Sequence, residues 1–201
     1  RRLDTLLMYD EIQTAFGRLG TIFAAELYGI VPDVITFGKA LGGGLPVAGF
    51  MTRKGLDVLE VGDHAFTFGH FPVGTAAAVA TLEVLEQTDL LLRCRRLGEQ
   101  ITARLRELQD RYEIIGDIRG PGLMIGIELV KDRTSKAPAN EQAARLVQLG
   151  LERGVIFGTS RYGGRGNVVK IKPPLVISDA QVERVMEVFA EACELLGPGG
   201  R

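Results

Sequence analysis

Ile35-Thr36-Phe37-Gly38-Lys39-Ala40-Leu41-Gly42-Gly43-Gly44 is the stretch on which the fold turns. A short apolar run ends at one lysine, and a glycine triplet follows almost at once. Upstream, Leu6-Leu7-Met8-Tyr9-Asp10-Glu11-Ile12-Gln13-Thr14 brings a carboxylate pair to the end of another apolar run. Four-residue apolar runs of this kind read as buried parallel strands, here at 6–9 and 34–37, with a third strand at 47–51. Short helical segments between such strands predict an α/β fold with a mostly parallel sheet.

Taken singly, a lysine after a strand is usually a solvated surface residue, and an Asp-Glu pair is often a turn or a helix cap. In combination they suit one chemistry. A lysine that forms a covalent imine must shed its proton, which a partly dry, glycine-lined turn favours. A nearby carboxylate keeps a cofactor's pyridine nitrogen protonated, so the ring acts as an electron sink. That combination points to pyridoxal phosphate. Asp10 and Glu11 are adjacent, so on a strand they point to opposite faces and only one can serve a given pocket. The glycine triplet is not a P-loop, which places its glycines before Gly-Lys-Ser/Thr, whereas Ala40 follows Lys39.

The strings Asp10-Glu11-Ile12-Gln13-Thr14-Ala15-Phe16-Gly17-Arg18, Pro32-Asp33-Val34-Ile35-Thr36 and Lys39 through Pro46 closely resemble the class III (ornithine and 4-aminobutyrate type) pyridoxal-phosphate-dependent aminotransferases. These are fold-type-I enzymes, and the resemblance runs to the last helix. It implies that Lys39 is the Schiff-base lysine, that Asp10 partners the pyridine nitrogen, and that Gln13 lies near the cofactor's phenolic oxygen. On the residues alone, Gln13 is a plain loop polar residue. The segment His64-Ala65-Phe66-Thr67-Phe68-Gly69-His70-Phe71-Pro72 aligns with the family's Thr-Phe-Gly-Gly-Asn-Pro. By that match Thr67 reaches the cofactor phosphate of a neighbouring subunit, which implies a homodimer or higher homo-oligomer. His70 and Phe71 depart from the pattern.

Val168-Val169-Lys170-Ile171-Lys172-Pro173-Pro174 is a second departure. Many relatives place an arginine three residues before the first proline to clamp a substrate carboxylate; here Lys170 stands there. Arginine offers a planar fork and lysine a point charge. Lys170 reads either as a solvated strand end or as a substrate-binding anion site. The string looks like the branch with amino-alcohol-phosphate phospho-lyases and alanine–glyoxylate-like enzymes, and phosphate would suit a lysine.

The implied activity is amino-group transfer between an amine or amino acid and a keto acid or aldehyde. Phospho-lyase, racemase or decarboxylase chemistry on the same cofactor is the alternative. A non-catalytic fragment or assembly module is the alternative of another class. It arises because nothing here supplies the family's phosphate loop or stacking aromatic, so the chain reads as the carboxy-terminal half of such an enzyme.

Composition narrows the rest. In 201 residues, 46% are hydrophobic and 24% charged, and the net charge of −1 gives no reason to expect nucleic acid or an anionic membrane as partner. The 26 glycines are about twice the usual share and suit ligand loops. Cys94 and Cys193 have neither metal nor disulfide spacing, and the two histidines lack ligand partners, so no metal site is expected. A cytoplasmic location is expected, although a targeting segment could precede a chain that opens without methionine.

Further along, the pattern predicts helices at 23–28, 72–87, 90–112, 140–153 and 179–196. Ser178 and Gln181 form a capping box for the last of these. Residues 114–122 read as a turn-rich lead-in, 123–130 as an alternating strand, and 155–157 and 167–172 as short strands. The expected organisation is residues 1–112 as part of the cofactor-binding large domain, long helix included. Residues 113–201 are expected as a small carboxy-terminal α+β domain, with a frayed tail at 197–200.

Overall fold

The computed structural model describes residues 5–56, 58–63, 66, 67, 69, 71–162 and 165–197. The histidines of the 64–72 segment and the tail beyond Gly197 lie outside them. The chain divides into two compact units, Arg1–Arg93 and Cys94–Arg201.

In the first unit, β1 (Met8–Asp10) runs parallel to β2 (Val34–Phe37), and β3 (Gly49–Thr52) pairs antiparallel on the other side of β2. Asp33 fastens the starts of β1 and β2 to the end of β3. Its buried carboxylate accepts from the Leu7 N–H at 2.9 Å and from Arg53 Nε at 2.6 Å. A short helix, α1 (Ala24–Tyr28), and a long one, α2 (Pro72–Gln87), complete the unit. Pro72 opens α2, where its missing N–H leaves no bond unmade. The small core gathers Ala15, Phe16, Leu41, Ala78 and Leu85, with Phe23 tilted and Phe37 edge-on against Phe16 at 5.6 and 5.9 Å between ring centres.

The apolar run at 6–9 is not the buried strand its composition suggests. β1 starts at Met8, and Leu6, Leu7 and Met8 are exposed, Met8 at 62%. Among the described residues β1 is an edge strand, paired on one side only, with β2.

In the second unit, β4 (Ile115–Arg119), β5 (Ile125–Leu129), β6 (Gly158–Tyr162) and β7 (Arg165–Ile171) form an antiparallel sheet in the order β4-β5-β7-β6. The alternation read in residues 123–130 is realised: Leu123, Ile125, Ile127 and Leu129 are buried. α3 (Leu90–Arg111), α4 (Asn140–Glu152) and α5 (Asp179–Leu196) supply the helices. Ser178 Oγ accepts from the Gln181 N–H and the Gln181 side chain returns to the Ser178 N–H, closing the expected box. Burial pushes the Cys193 thiol up to about 12, so it is an inert core group.

Two sequence readings change here. Residues 115–119 form a strand rather than turns; Gly116 and Asp117 mask it locally, and only pairing with β5 makes it a strand. The strand expected at 155–157 lies at Gly158–Tyr162, a polar edge strand with little apolar signal. The two compact units divide at Arg93/Cys94, so most of α3 groups with the second. A Cβ at Gly98 would collide with the Gly122 carbonyl, so glycine lets α3 approach that loop closely. Arg104 pairs with Glu183 at 2.6 Å, and the Gln109 amide donates to the Gly116 carbonyl at 3.0 Å. No helix among the described residues is long and apolar enough to cross a membrane.

Candidate active site

β1 and β2 deliver their chemistry at the same end. Asp10 closes β1, and Lys39 follows β2 by two residues, so both stand at the carboxyl ends of adjacent parallel strands. Ligands of open α/β sheets bind at this edge.

Asp10 is exposed, in register with Thr36 of β2. Its Oδ1 accepts from the Ile12 N–H at 3.1 Å and from the Thr36 hydroxyl at 3.3 Å. Both bonds fall on one oxygen, which leaves Oδ2 available to a donor outside the described residues. Thr36 was not singled out as a site residue in the sequence. Its role depends on strand register, which the residues of one strand do not reveal.

Glu11 turns the other way, as strand alternation requires. It is 1% exposed, and its carboxylate accepts from Thr14 Oγ1 at 2.6 Å and from the Ala24 and Ala25 N–H groups at 2.8 Å each. Glu11 therefore pins the start of α1 to the end of β1 and fixes the turn that holds Gln13. Glu11→Ala leaves two buried helix N–H groups without an acceptor and is expected to destabilise the first unit by about 3 kcal/mol. Thermal or urea unfolding checks this; a loss below about 1 kcal/mol would show the carboxylate to be dispensable.

Lys39 opens a 3-10 turn, Lys39–Gly42, that ends at Gly43 in the left-handed conformation. Lys39 itself has φ +44°, a left-handed conformation uncommon for a side chain of this kind. Its side chain is exposed, with no ion pair among the described residues. The turn is held from behind. A Cβ at Gly38 would meet the Val47 carbonyl at 3.2 Å, and one at Gly43 would touch Thr81 of α2 at 3.4 Å. Backbone strain at an exposed lysine on a packed turn is typical of a functional position.

Gln13 is exposed in the turn after β1, and Thr67 is exposed in the turn before α2. Lys170 belongs to the second unit, half-buried on β7 between Gly126 of β5 and Gly158 of β6. The structure thus brings Asp10, Lys39 and, three residues beyond Asp10, Gln13 to one sheet edge. An exposed lysine and a carboxylate with an unengaged oxygen fit the two ends of a pyridoxal ring.

Comparison with known proteins agrees with this chemistry. Residues 1–193 match the family model for class III aminotransferases. The chain is 42% identical to a leucine/methionine racemase of Thermococcus litoralis, covering 93% of this chain and 42% of that protein. It is 40% identical to the 5-aminovalerate aminotransferase DavT of Pseudomonas aeruginosa, covering 95% of this chain and 45% of that one. Among solved structures, a Bacillus anthracis aminotransferase superposes with a TM-score of 0.86 at 35% identity, over 94% of this chain and 44% of its own. The chain belongs to the class III aminotransferase family, whose members depend on pyridoxal phosphate, and its fold is part of fold type I. It spans less than half the length of these relatives.

Proposed function

We propose that the protein moves an amino group between an amine or amino acid and a keto acid or aldehyde, using pyridoxal phosphate. The observation that carries this is the placement of Asp10 and Lys39 at the carboxyl ends of adjacent parallel strands, in a chain matching the family over residues 1–193. Bound pyridoxal phosphate supplies an electron-withdrawing ring that weakens the bonds at the substrate's amine-bearing carbon. Lys39 would hold the cofactor through its side-chain amine and, when that amine is free, would carry a proton to and from that carbon. Asp10 Oδ2 would keep the proton on the pyridine nitrogen, with Thr36 and the Ile12 N–H fixing the other carboxylate oxygen. Gln13 would hold the phenolic oxygen of the ring. Thr67 contributes a phosphate contact across a subunit boundary, which calls for a homodimer or larger homo-oligomer. Lys170 holds the anionic end of the substrate. Neither of the buried residues Cys94 and Cys193 forms a disulfide, which supports a reducing, cytoplasmic setting.

The test is borohydride reduction of the native protein followed by peptide mapping. The pyridoxyl label is expected on Lys39, and a label on any other lysine overturns the assignment. A second reading, racemisation, is favoured by the 42% identity to a leucine/methionine racemase. Inversion of a single amino acid without any keto acid would establish it.

A further inference from the structure

Thr36 grips the Asp10-Glu11 pair twice. Its carbonyl accepts from the Glu11 N–H at 2.9 Å, and its hydroxyl donates to Asp10 Oδ1 at 3.3 Å. The first bond continues the parallel pairing of β1 with β2 and fixes the backbone. The second acts on the carboxylate alone. Strand register sets it up: Asp10, Thr36 and Phe50 form one row across the three strands, so Asp10 and Thr36 share a sheet face. Glu11 turns away from that face towards the Ala24 and Ala25 N–H groups. The other bond to Asp10 Oδ1, from the Ile12 N–H at 3.1 Å, spans two residues and is one that an aspartate makes within its own turn. Among the described residues only Thr36 ties the carboxylate to another strand, and that strand runs on to Lys39 three residues later.

Strand propensity does not by itself call for a threonine here. Valine serves a strand as well, and Val34 does so two residues earlier on the same face of β2. The hydroxyl is what distinguishes Thr36. We infer that Thr36 is a positioning residue for Asp10: its hydroxyl turns the carboxylate so that Oδ2 faces the pyridine nitrogen, and it refers that carboxylate to the same strand that delivers Lys39. The inference rests on the reading of Asp10 as the ring-nitrogen partner and adds the group that aims it. The terminal torsion of an aspartate is broad, so a carboxylate held only by its own turn swings readily. At 3.3 Å the contact is a weak hydrogen bond, able to bias that rotation and too weak to hold up a fold. Removing the hydroxyl changes the direction of the carboxylate more than its charge, because Asp10 is exposed and water takes over the lost donation.

The experiment compares parent, Thr36→Val and Thr36→Ser in the complete protein. Each is loaded with pyridoxal phosphate isotope-labelled at the ring nitrogen, whose magnetic resonance reports the proton there across pH. Valine keeps the shape and strand preference of threonine and loses the hydroxyl; serine restores the hydroxyl. Thr36→Val is expected to melt with the parent, to release the ring proton about one pH unit lower, and to lower kcat for a good amine donor about tenfold at unchanged KM. Thr36→Ser is expected to recover most of both effects. In an Asp10→Asn background Thr36→Val is expected to change neither, since the carboxylate it aims is gone. A ring titration that stays in place or rises in Thr36→Val overturns the inference, as does a serine variant that recovers nothing. A Thr36→Val loss that persists in the Asp10→Asn background, or a Thr36→Val protein that melts well below the parent, makes Thr36 a structural residue and overturns it too. Asp10→Asn with the ring titration of the parent removes the reading of Asp10 itself, a failure distinct from that of Thr36. Borohydride labelling of Lys39 reports separately on the cofactor reading.

Discussion

Lys39→Gly is expected to abolish covalent attachment of pyridoxal phosphate and, at the same time, to make the protein more stable. The two effects have separate origins. Attachment is lost because the amine is gone. Stability rises because Lys39 sits at φ +44°, where a residue with a Cβ is disfavoured by about 1–2 kcal/mol and glycine is not. The side chain is exposed, so truncating it forfeits little buried surface. A gain of about 1 kcal/mol is expected, a rise of roughly 2–4 °C in the melting temperature for a chain of this size. Lys39→Ala separates the contributions, because it also removes the amine but keeps the Cβ and its strain. The measurement is melting of the cofactor-free protein for parent, glycine and alanine variants, with borohydride trapping run alongside. A glycine variant melting no higher than the alanine variant would show that the backbone at Lys39 is unstrained. Such an opposition between stability and chemistry is what a lysine held in place for its reactivity should show.

Asp10→Asn is expected to lower turnover by roughly a hundredfold or more while the protein remains folded and Lys39 still takes up cofactor. A carboxylate within a few ångströms raises the affinity of a ring nitrogen for its proton by about 1–3 pKa units, and an amide does not. Each unit corresponds to about 1.4 kcal/mol, so its loss leaves the protonated ring a small minority near neutrality. Folding is spared because Asp10 is exposed and accepts only the Ile12 N–H and the Thr36 hydroxyl. An asparagine carbonyl can accept both. Single-turnover kinetics with a good amine donor, beside the cofactor's absorbance across pH, measure the effect. Turnover near the parent rate would remove Asp10 from the site. Turnover lost together with the folded state would make Asp10 structural, the role the geometry gives to Glu11.

The Lys39 turn and the Asp10 carboxylate were legible in the chain because their signals are local. An apolar run, one lysine and a glycine triplet define a strand and a tight turn within ten residues. A Ser-x-x-Gln pair caps the last helix within four, and the alternation at Leu123 to Leu129 matches the two-residue period of a half-buried strand. The choice between Asp10 and Glu11 needed the family resemblance. In the tertiary structure the Ala24 and Ala25 N–H groups reach Glu11 from 13 and 14 residues away, while Asp10 is exposed.

Register, packing and layer order lay beyond local pattern. Thr36 became a partner of Asp10 only when β2 paired in parallel with β1, and Gly126 and Gly158 met Lys170 only through a four-stranded register. Most of α3 joined the second unit because Gly98 admits the Gly122 loop, a contact with no trace in the helix's own periodicity. The run at 6–9 looked buried because composition reports the capacity to be covered, whereas the number of strands and layers around it decides whether it is. The sequence by itself determined the α/β class, most elements and the placing of Lys39 and Asp10 at strand ends, since each rests on neighbours a few residues apart. Only the tertiary structure decided which carboxylate oxygens are engaged and which residues share a face, because these are set by groups that pairing and packing bring together from distant parts of the chain.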